Sequence, residues 1–310
     1  MPEDLERHCG VVAVLGAPNA GKSTLVNQMV GTKIAIVTHK VQTTRARLRG
    51  VFQHEKTQII LVDTPGIFNP RRKLDTAMVQ AAWGGADDAD EIIVMVDAPR
   101  HAESDEGGKA GKDTDRIIEG LKKRECKAVL ALNKIDGMRR DTLLALIERF
   151  NETGIFKETF LISAMKGDGV EALREYIAKD MPAGPWLYPE DQPADMTERA
   201  LASEVTREKL ILRLHEELPY ATTVETENWK DLKDGSVRIE QVIYVERDSQ
   251  KSIVLGKGGR TIKEIGTESR EELQGMFDRK VHLFLFVKVR EKWSEDPERY
   301  RVMGLDLPKG

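Results

Sequence analysis

The sequence predicts two joined domains: an α/β domain whose mostly parallel sheet is covered by helices, and a smaller α+β domain behind it. Three observations predict this. Between residues 10 and 180, short apolar runs alternate with helix-like stretches: Val11 to Leu15, Ile59 to Val62, Ile92 to Val96, Ala128 to Leu132 and Phe160 to Ile162. Strands apolar on both faces and separated by helices indicate a parallel sheet between helical layers. Residues 181–195, MPAGPWLYPEDQPAD, then hold four prolines in fifteen positions. That reads as a linker, because proline lacks an amide donor and disfavours helix in the residue before it. Beyond the linker comes an amphipathic helix pattern from about Thr197 to Leu218, carried by Leu201, Val205, Leu210, Leu212 and Leu214. It is followed by strand-like alternation over Val237 to Glu246. The expected boundaries are 8–180 for the first domain, 181–195 for the linker and 196–310 for the second domain.

Composition narrows the function classes. The length of 310 residues suits two domains at about 100–200 residues each. An apolar content of 40% argues against disorder, and a net charge of -4 excludes a wholly basic coat protein while allowing a local basic patch. The two cysteines, Cys9 and Cys126, form neither a disulfide framework nor a zinc set, and fit a reducing cytoplasm. The six histidines show no metal-ligand spacing. No apolar run approaches the ~20 residues of a membrane-spanning helix. The start, MPEDLERHCG, is too acidic and polar for a secretory signal.

Taken in order, the loops after the apolar runs carry the chemistry. The first is Gly16-Ala17-Pro18-Asn19-Ala20-Gly21-Lys22-Ser23, followed by Thr24, a match to GxxxxGK[ST] between a predicted strand and a predicted helix. Successive main-chain amides there converge on one anionic pocket, and Gly16 and Gly21 permit the tight path. Lys22 supplies a point charge to the outer phosphates, and the Ser23 hydroxyl can ligate Mg²⁺. Next comes Val41-Gln42-Thr43-Thr44-Arg45, where one threonine can complete the Mg²⁺ shell; Thr44 is slightly preferred over Thr43. Asp63-Thr64-Pro65-Gly66 fits DxxG. Its carboxylate can hold a Mg²⁺-bound water, and the Gly66 amide can sense a γ-phosphate.

Polar, glycine-rich Arg100 to Asp115, RHAESDEGGKAGKDTD, reads as a flexible surface loop. Asn133-Lys134-Ile135-Asp136 then falls at the same edge of the sheet as the phosphate loop. The Asp136 carboxylate offers two acceptors to the ring N1–H and 2-amino group of guanine, a donor pair that adenine lacks. Asn133 would brace neighbouring loops, and the Lys134 stem can lie over the purine. Ser163-Ala164-Met165 closes the series, with the Ala164 amide available to the guanine O6. Together these residues describe a site for GTP or GDP with Mg²⁺.

In the second domain, Gly256-Lys257-Gly258-Gly259 precedes a helix-like stretch from Arg260 to Met276. A GxxG turn between two helices clamps about four nucleotides of backbone in KH domains. Residues 181–310 carry 21 basic and 25 acidic residues, yet Arg247 to Lys263 has five basic against one acidic residue. The same excess recurs from Arg279 to Lys292. Positive charge is therefore concentrated around the turn, with Lys257, Arg260 and Lys263 as candidate phosphate contacts. Ile253, Val254, Leu255, Ile262 and Ile265 serve either as a platform for bases or as core. Trp293 and Tyr300 either stack on a base or cover the core.

GAPNAGKST, VQTTR, VDTPG, NKID and SAM, then LASEVTREKL, EELPYATTVE and VLGKGGRTIKEIG, resemble the Era family of bacterial ribosome-assembly GTPases over about residues 10–290. The resemblance implies a P-loop GTPase fold for the first domain and an α+β type II KH fold for the second. It implies hydrolysis of GTP to GDP and phosphate, and a grip on single-stranded RNA near the 3′ end of small-subunit ribosomal RNA. A role in small-subunit assembly and peripheral association with the inner membrane are implied as well. The chain is expected to act as a monomer. Met165 stands where the family usually has lysine or leucine; the base contact there is a main-chain amide, so little should change. Ile67 stands where many small GTPases have a water-orienting glutamine, which predicts slow intrinsic turnover accelerated by something bound. Asn19 accompanies potassium dependence in related GTPases, and K⁺ would stand in for an arginine finger there. The alternatives open at this point are a GTPase acting on tRNA modification or large-subunit assembly, a module whose nucleotide is structural, and an ATPase.

Overall fold

The structure, a computed structural model, describes residues 7–40, 44–45, 47–103, 108–215, 218–291, 293, 296–297, 300 and 304–306. Val41, Gln42, Thr43, residues 104–107 of the expected surface loop and Lys292 lie outside the described residues. The chain forms two compact units: Met1–Ala35, Thr44–Asp195 and Met303–Gly310 in one, Ile36–Thr43 and Met196–Val302 in the other.

In the first unit the elements run β1 (His8–Gly16), α1 (Lys22–Val30), β2 (Leu48–His54), β3 (Thr57–Asp63), α2 (Lys73–Asp87), β4 (Glu91–Asp97), α3 (Ala98–Ala102), α4 (Gly108–Lys123), β5 (Ala128–Asn133), α5 (Arg140–Asn151), β6 (Phe156–Ile162) and α6 (Val170–Lys179). The sheet order is β2-β3-β1-β4-β5-β6, parallel except for β2, which runs antiparallel to β3. The expected apolar runs are the cores of β1, β3, β4, β5 and β6. All of β3, β4 and β5 is buried, as strands covered on both faces must be. Ala82 of α2, Ile117 and Leu121 of α4, and Leu146 and Phe150 of α5 pack on one face. Because the strands are parallel, Gly16, Asp63, Asp97, Asn133 and Ile162 all end on one rim.

One expectation is corrected. Among the described residues, Arg100 to Asp115 is not a surface loop: it begins within α3, enters α4 at Gly108, and Asp113 and Thr114 are buried. Packing overrides the glycine-rich composition, because Ile117, Ile118 and Leu121 give the helix an apolar stripe. The proline-rich stretch does not hang free. Cys9 donates its amide to Pro182 O (3.0 Å), Val51 to Pro193 O (2.8 Å), and Asp195 to Arg49 O (3.0 Å). Gln58, wholly buried, accepts the Leu187 and Tyr188 amides (2.9 and 3.0 Å) and donates Nε2 to Tyr188 O (2.8 Å). Residues 182–195 thereby line the edge of the sheet.

The second unit is built from α7 (Glu198–Arg213), β7 (Thr223–Asp231), β8 (Val237–Val245), α8 (Asp248–Leu255), α9 (Arg260–Phe277) and β9 (Val281–Val289). The order helix–strand–strand–helix–helix–strand is that of a type II KH fold. Strand β8 pairs antiparallel with β7 and parallel with β9. Helix α7 stops at Arg213, short of the expected Leu218, and Leu218–Ala221 form a separate 3-10 turn. Residues of the 36–40 segment pack here. The Val37 amide donates to Glu208 Oε1 (2.9 Å), and Lys40 Nζ donates to Ile211 O (2.6 Å) at the end of α7.

Candidate functional site

The phosphate loop joins β1 to α1. Gly21 has φ 103, and a Cβ there would come within 2.3 Å of Asn133 Nδ2, so only glycine fits. No side chain caps the first turn of α1, which leaves its amides available to an anion. Lys22 is buried, with Nζ donating to Gly16 O (3.2 Å) and Ala17 O (3.0 Å). Burial lowers its pKa to about 8, with the Asp63 charge opposing that shift.

Beside it, two hydroxyls and a carboxylate meet. Ser23 Oγ donates to Asp63 Oδ2 (2.7 Å) and lies 2.9 Å from Thr44 Oγ1, which in turn donates to Asp63 Oδ2 (3.2 Å). Asp63 is wholly buried, and its Oδ1 has no hydrogen-bond partner. Burial pushes its carboxyl pKa up, and the Ser23 hydrogen bond is the foremost counterweight. A buried carboxylate oxygen without a donor, beside clustered hydroxyls, is a hard-oxygen donor set that fits Mg²⁺. Thr44 thus joins the cluster, whereas Thr43 lies outside the described residues.

The DxxG loop is held against the phosphate loop. Thr64 Oγ1 donates to Val14 O (2.7 Å), and the Ile67 amide donates to Gly16 O (3.1 Å). Pro65 is buried and Gly66 is half-buried at the turn. Ile67, which follows DxxG, puts its side chain into the core cluster that also holds Leu15 and Leu132.

The base-side loops interlock. Asn133 Nδ2 donates to Ala20 O (2.8 Å), while Asn133 Oδ1 accepts the Ala164 amide (2.9 Å). The donor expected at guanine O6 is therefore engaged by Asn133 here. Lys134 Nζ reaches Asn19 O (2.9 Å) and Asp97 Oδ2 (2.5 Å), and the Ile135 amide donates to Ile162 O (3.4 Å). Asp136 Oδ1 accepts from Ser163 Oγ (2.9 Å), and Lys166 Nζ lies 3.4 Å from its other oxygen. The Ser163 hydrogen bond holds the Asp136 pKa below the usual carboxylate range. Met165 is 84% exposed. Sequence reasoning missed Asp97. Its signal was an acid closing the apolar run Ile92 to Val96, but its partner follows only from the register that sets Asp97 beside Asn133.

In the second unit, α8 ends at Leu255 and the GxxG turn leads into α9. Gly258 and Gly259 have φ 62 and 78, and nothing lies within 4 Å of where a Cβ would stand. The turn is thus open to a sugar–phosphate backbone. Lys257, Arg260 and Lys263 are exposed around it, and Gly256 is half-buried at its start. Val254 and Ile265 belong to the core, while Ile253 is exposed. Trp293 and Tyr300 cover the core and do not await a base: both are buried, and Trp293 Nε1 donates to Ala221 O (3.0 Å).

Comparison with known proteins agrees with this layout. The family described as 50S ribosome-binding GTPase matches residues 11–134, and the KH domain family matches 217–294. GTPase Era of Mesorhizobium japonicum is 58% identical over 301 residues, covering 97% of this chain and 94% of that protein. GTPase Era of Maricaulis maris is 58% identical, covering 98% and 99%. Among solved structures, Era in complex with MgGDPNP and nucleotides 1506–1542 of 16S ribosomal RNA aligns with TM-score 0.88 at 35% identity, covering 96% of this chain and 99% of that one. A single-residue variant of Aquifex aeolicus Era bound to GDP and AlF4⁻ aligns equally well, at 36% identity and the same coverage. With full-length relatives at this identity, a phosphate loop whose hydroxyl–carboxylate cluster suits a metal, and a GxxG turn on a KH fold, the chain belongs to the Era family of GTPases.

Proposed function

We propose that this GTPase is a switch that grips the 3′-end segment of small-subunit ribosomal RNA through Gly256–Gly259 and acts in assembly of the small subunit. The observation that carries the nucleotide half is the meeting of Ser23, Thr44 and half-partnered Asp63 at the rim where Asn133, Lys134 and Asp136 also converge. Lys22 exchanges two carbonyl partners for the outer phosphates. Ser23 and Thr44 would hold Mg²⁺ through their hydroxyl oxygens and Asp63 would hold it through a water; the metal would supply positive charge to the outer phosphate oxygens. Ala17, Pro18, Ala20 and Thr24 belong to the loop and helix start that wrap the phosphates. The Gly66 amide reads the outermost phosphate, and its loss on hydrolysis releases the Thr44 and Gly66 segments. Asp136 selects guanine, and the Ala164 amide meets its O6 once Asn133 yields it.

Ile67 offers the attacking water nothing, so intrinsic turnover is slow. Asn19 would hold K⁺, which would supply positive charge beside the phosphates, and bound RNA would add to the acceleration. The RNA half rests on the open GxxG turn with Lys257, Arg260 and Lys263 around it and on the RNA-bound relative of matching fold. The inner-membrane association implied by family resemblance is taken as peripheral; among the described residues no helix is long and apolar enough to cross a membrane. The switch acts from the cytoplasm as a monomer.

Single-turnover hydrolysis tests the proposal, with RNA of the 3′ end of 16S ribosomal RNA added or withheld, and with sodium replacing potassium. Added RNA should raise the rate, and sodium in place of potassium should lower it. Equal rates in the two salts remove the K⁺ role at Asn19. A Gly258→Asp variant should lose RNA affinity while its GTP affinity stays; retained RNA binding places the clamp elsewhere.

A further inference from the structure

The basic cluster around the GxxG turn ends at Lys263, and the next residue is an acid, Glu264. Arg260 Nε donates to Glu264 Oε1 (3.0 Å), one turn along α9. The other oxygen, Glu264 Oε2, accepts from Arg213 Nη1 (2.5 Å) at the end of α7, and Arg213 also pairs with Glu268. Arg260 is 82% exposed, whereas Arg213 is 31% exposed and engages two carboxylates. Glu264 is therefore anchored on its inner side and holds the clamp's guanidinium on its outer side.

We propose that Glu264 tempers the grip of the RNA clamp by competing with backbone phosphate for Arg260. The inference rests on the reading of Gly256–Gly259 as that clamp. A phosphate placed at the start of α9 offers Arg260 a bidentate, charge-assisted partner, better than the single contact to Glu264. A strand that seats a phosphate there must part Arg260 from Glu264, whereas a strand that does not leaves the pair intact. The cost falls on the well-seated strand, so Glu264 holds its affinity down and speeds its release.

The test uses the full chain and two RNA probes of equal length: the 3′-end segment of 16S ribosomal RNA and a scrambled sequence. Glu264→Gln should tighten the 3′-end probe by about fivefold and the scrambled probe by less than that. Unchanged or weaker affinity for the 3′-end probe overturns the proposal. Glu268→Gln is the control: it removes the same charge nearby without releasing Arg260, and should leave the 3′-end probe within about twofold of the parent. An equal rise in both variants reduces the effect to bulk charge and overturns the proposal too. Gly258→Asp separates the two readings. If it binds both probes like the parent, the clamp reading itself fails. If it loses them while Glu264→Gln changes nothing, only the role of Glu264 fails.

Discussion

Lys22 shows burial and chemistry pulling against each other. Its ammonium is desolvated yet must face polyanionic phosphate, and its pKa of about 8 in the nucleotide-free protein records the first effect. A triphosphate stabilises the charged form and raises that value, so binding takes up a proton once pH passes about 8. GTP affinity should therefore be flat below that pH and fall above it. Calorimetry in buffers of differing ionisation enthalpy checks this, and equal heats at pH 8.5 would remove the proton uptake. At Asp136, a carboxamide replacing the carboxylate complements a different donor pattern. Asp136→Asn should lower GTP affinity by about 100-fold or more and favour a xanthine nucleotide in competition binding. These residues were legible because each sits in a local motif. The Asp97 link to Lys134 was not, because it exists only through strand pairing.

Among the elements, the strands apolar on both faces announced themselves, as did the alternation of β8, but the edge strand β2 did not. β2, with Arg49, Gln53 and His54 in an edge position, passed unnoticed between loops. The proline-rich stretch has a linker's composition, but its docking depends on Gln58, a buried amide that mimics a strand partner. Nothing in MPAGPWLYPEDQPAD reveals where its main-chain groups are satisfied. Gln58→Leu strands the Leu187 and Tyr188 groups and should cost about 1–3 kcal/mol. The expected readout is a lower urea midpoint for the first unit, with faster proteinase K cleavage within 182–195. An unchanged cleavage rate would mean that the edge holds this stretch without Gln58.

For the whole molecule, sequence order was a good guide to the nucleotide rim, because parallel strands deliver widely spaced loops to one side. It was a poor guide to Ile36–Lys40, which bonds to α7 far along the chain. A segment of that kind reads the same whichever element it meets, and only partners such as Glu208 decide. The burial of Ile67 in the cluster that holds Leu15 bears on the entire cycle. Ile67→Gln would insert an amide into an apolar core and should lower thermal stability by about 2 kcal/mol without speeding hydrolysis, as melting and single-turnover assays can check. A faster variant would show that the side chain can turn outward. In the proposed cycle, a natural residue committed to the core leaves the dwell time in the loaded state to whatever docks next, and the protein would serve as a checkpoint that waits for its visitor.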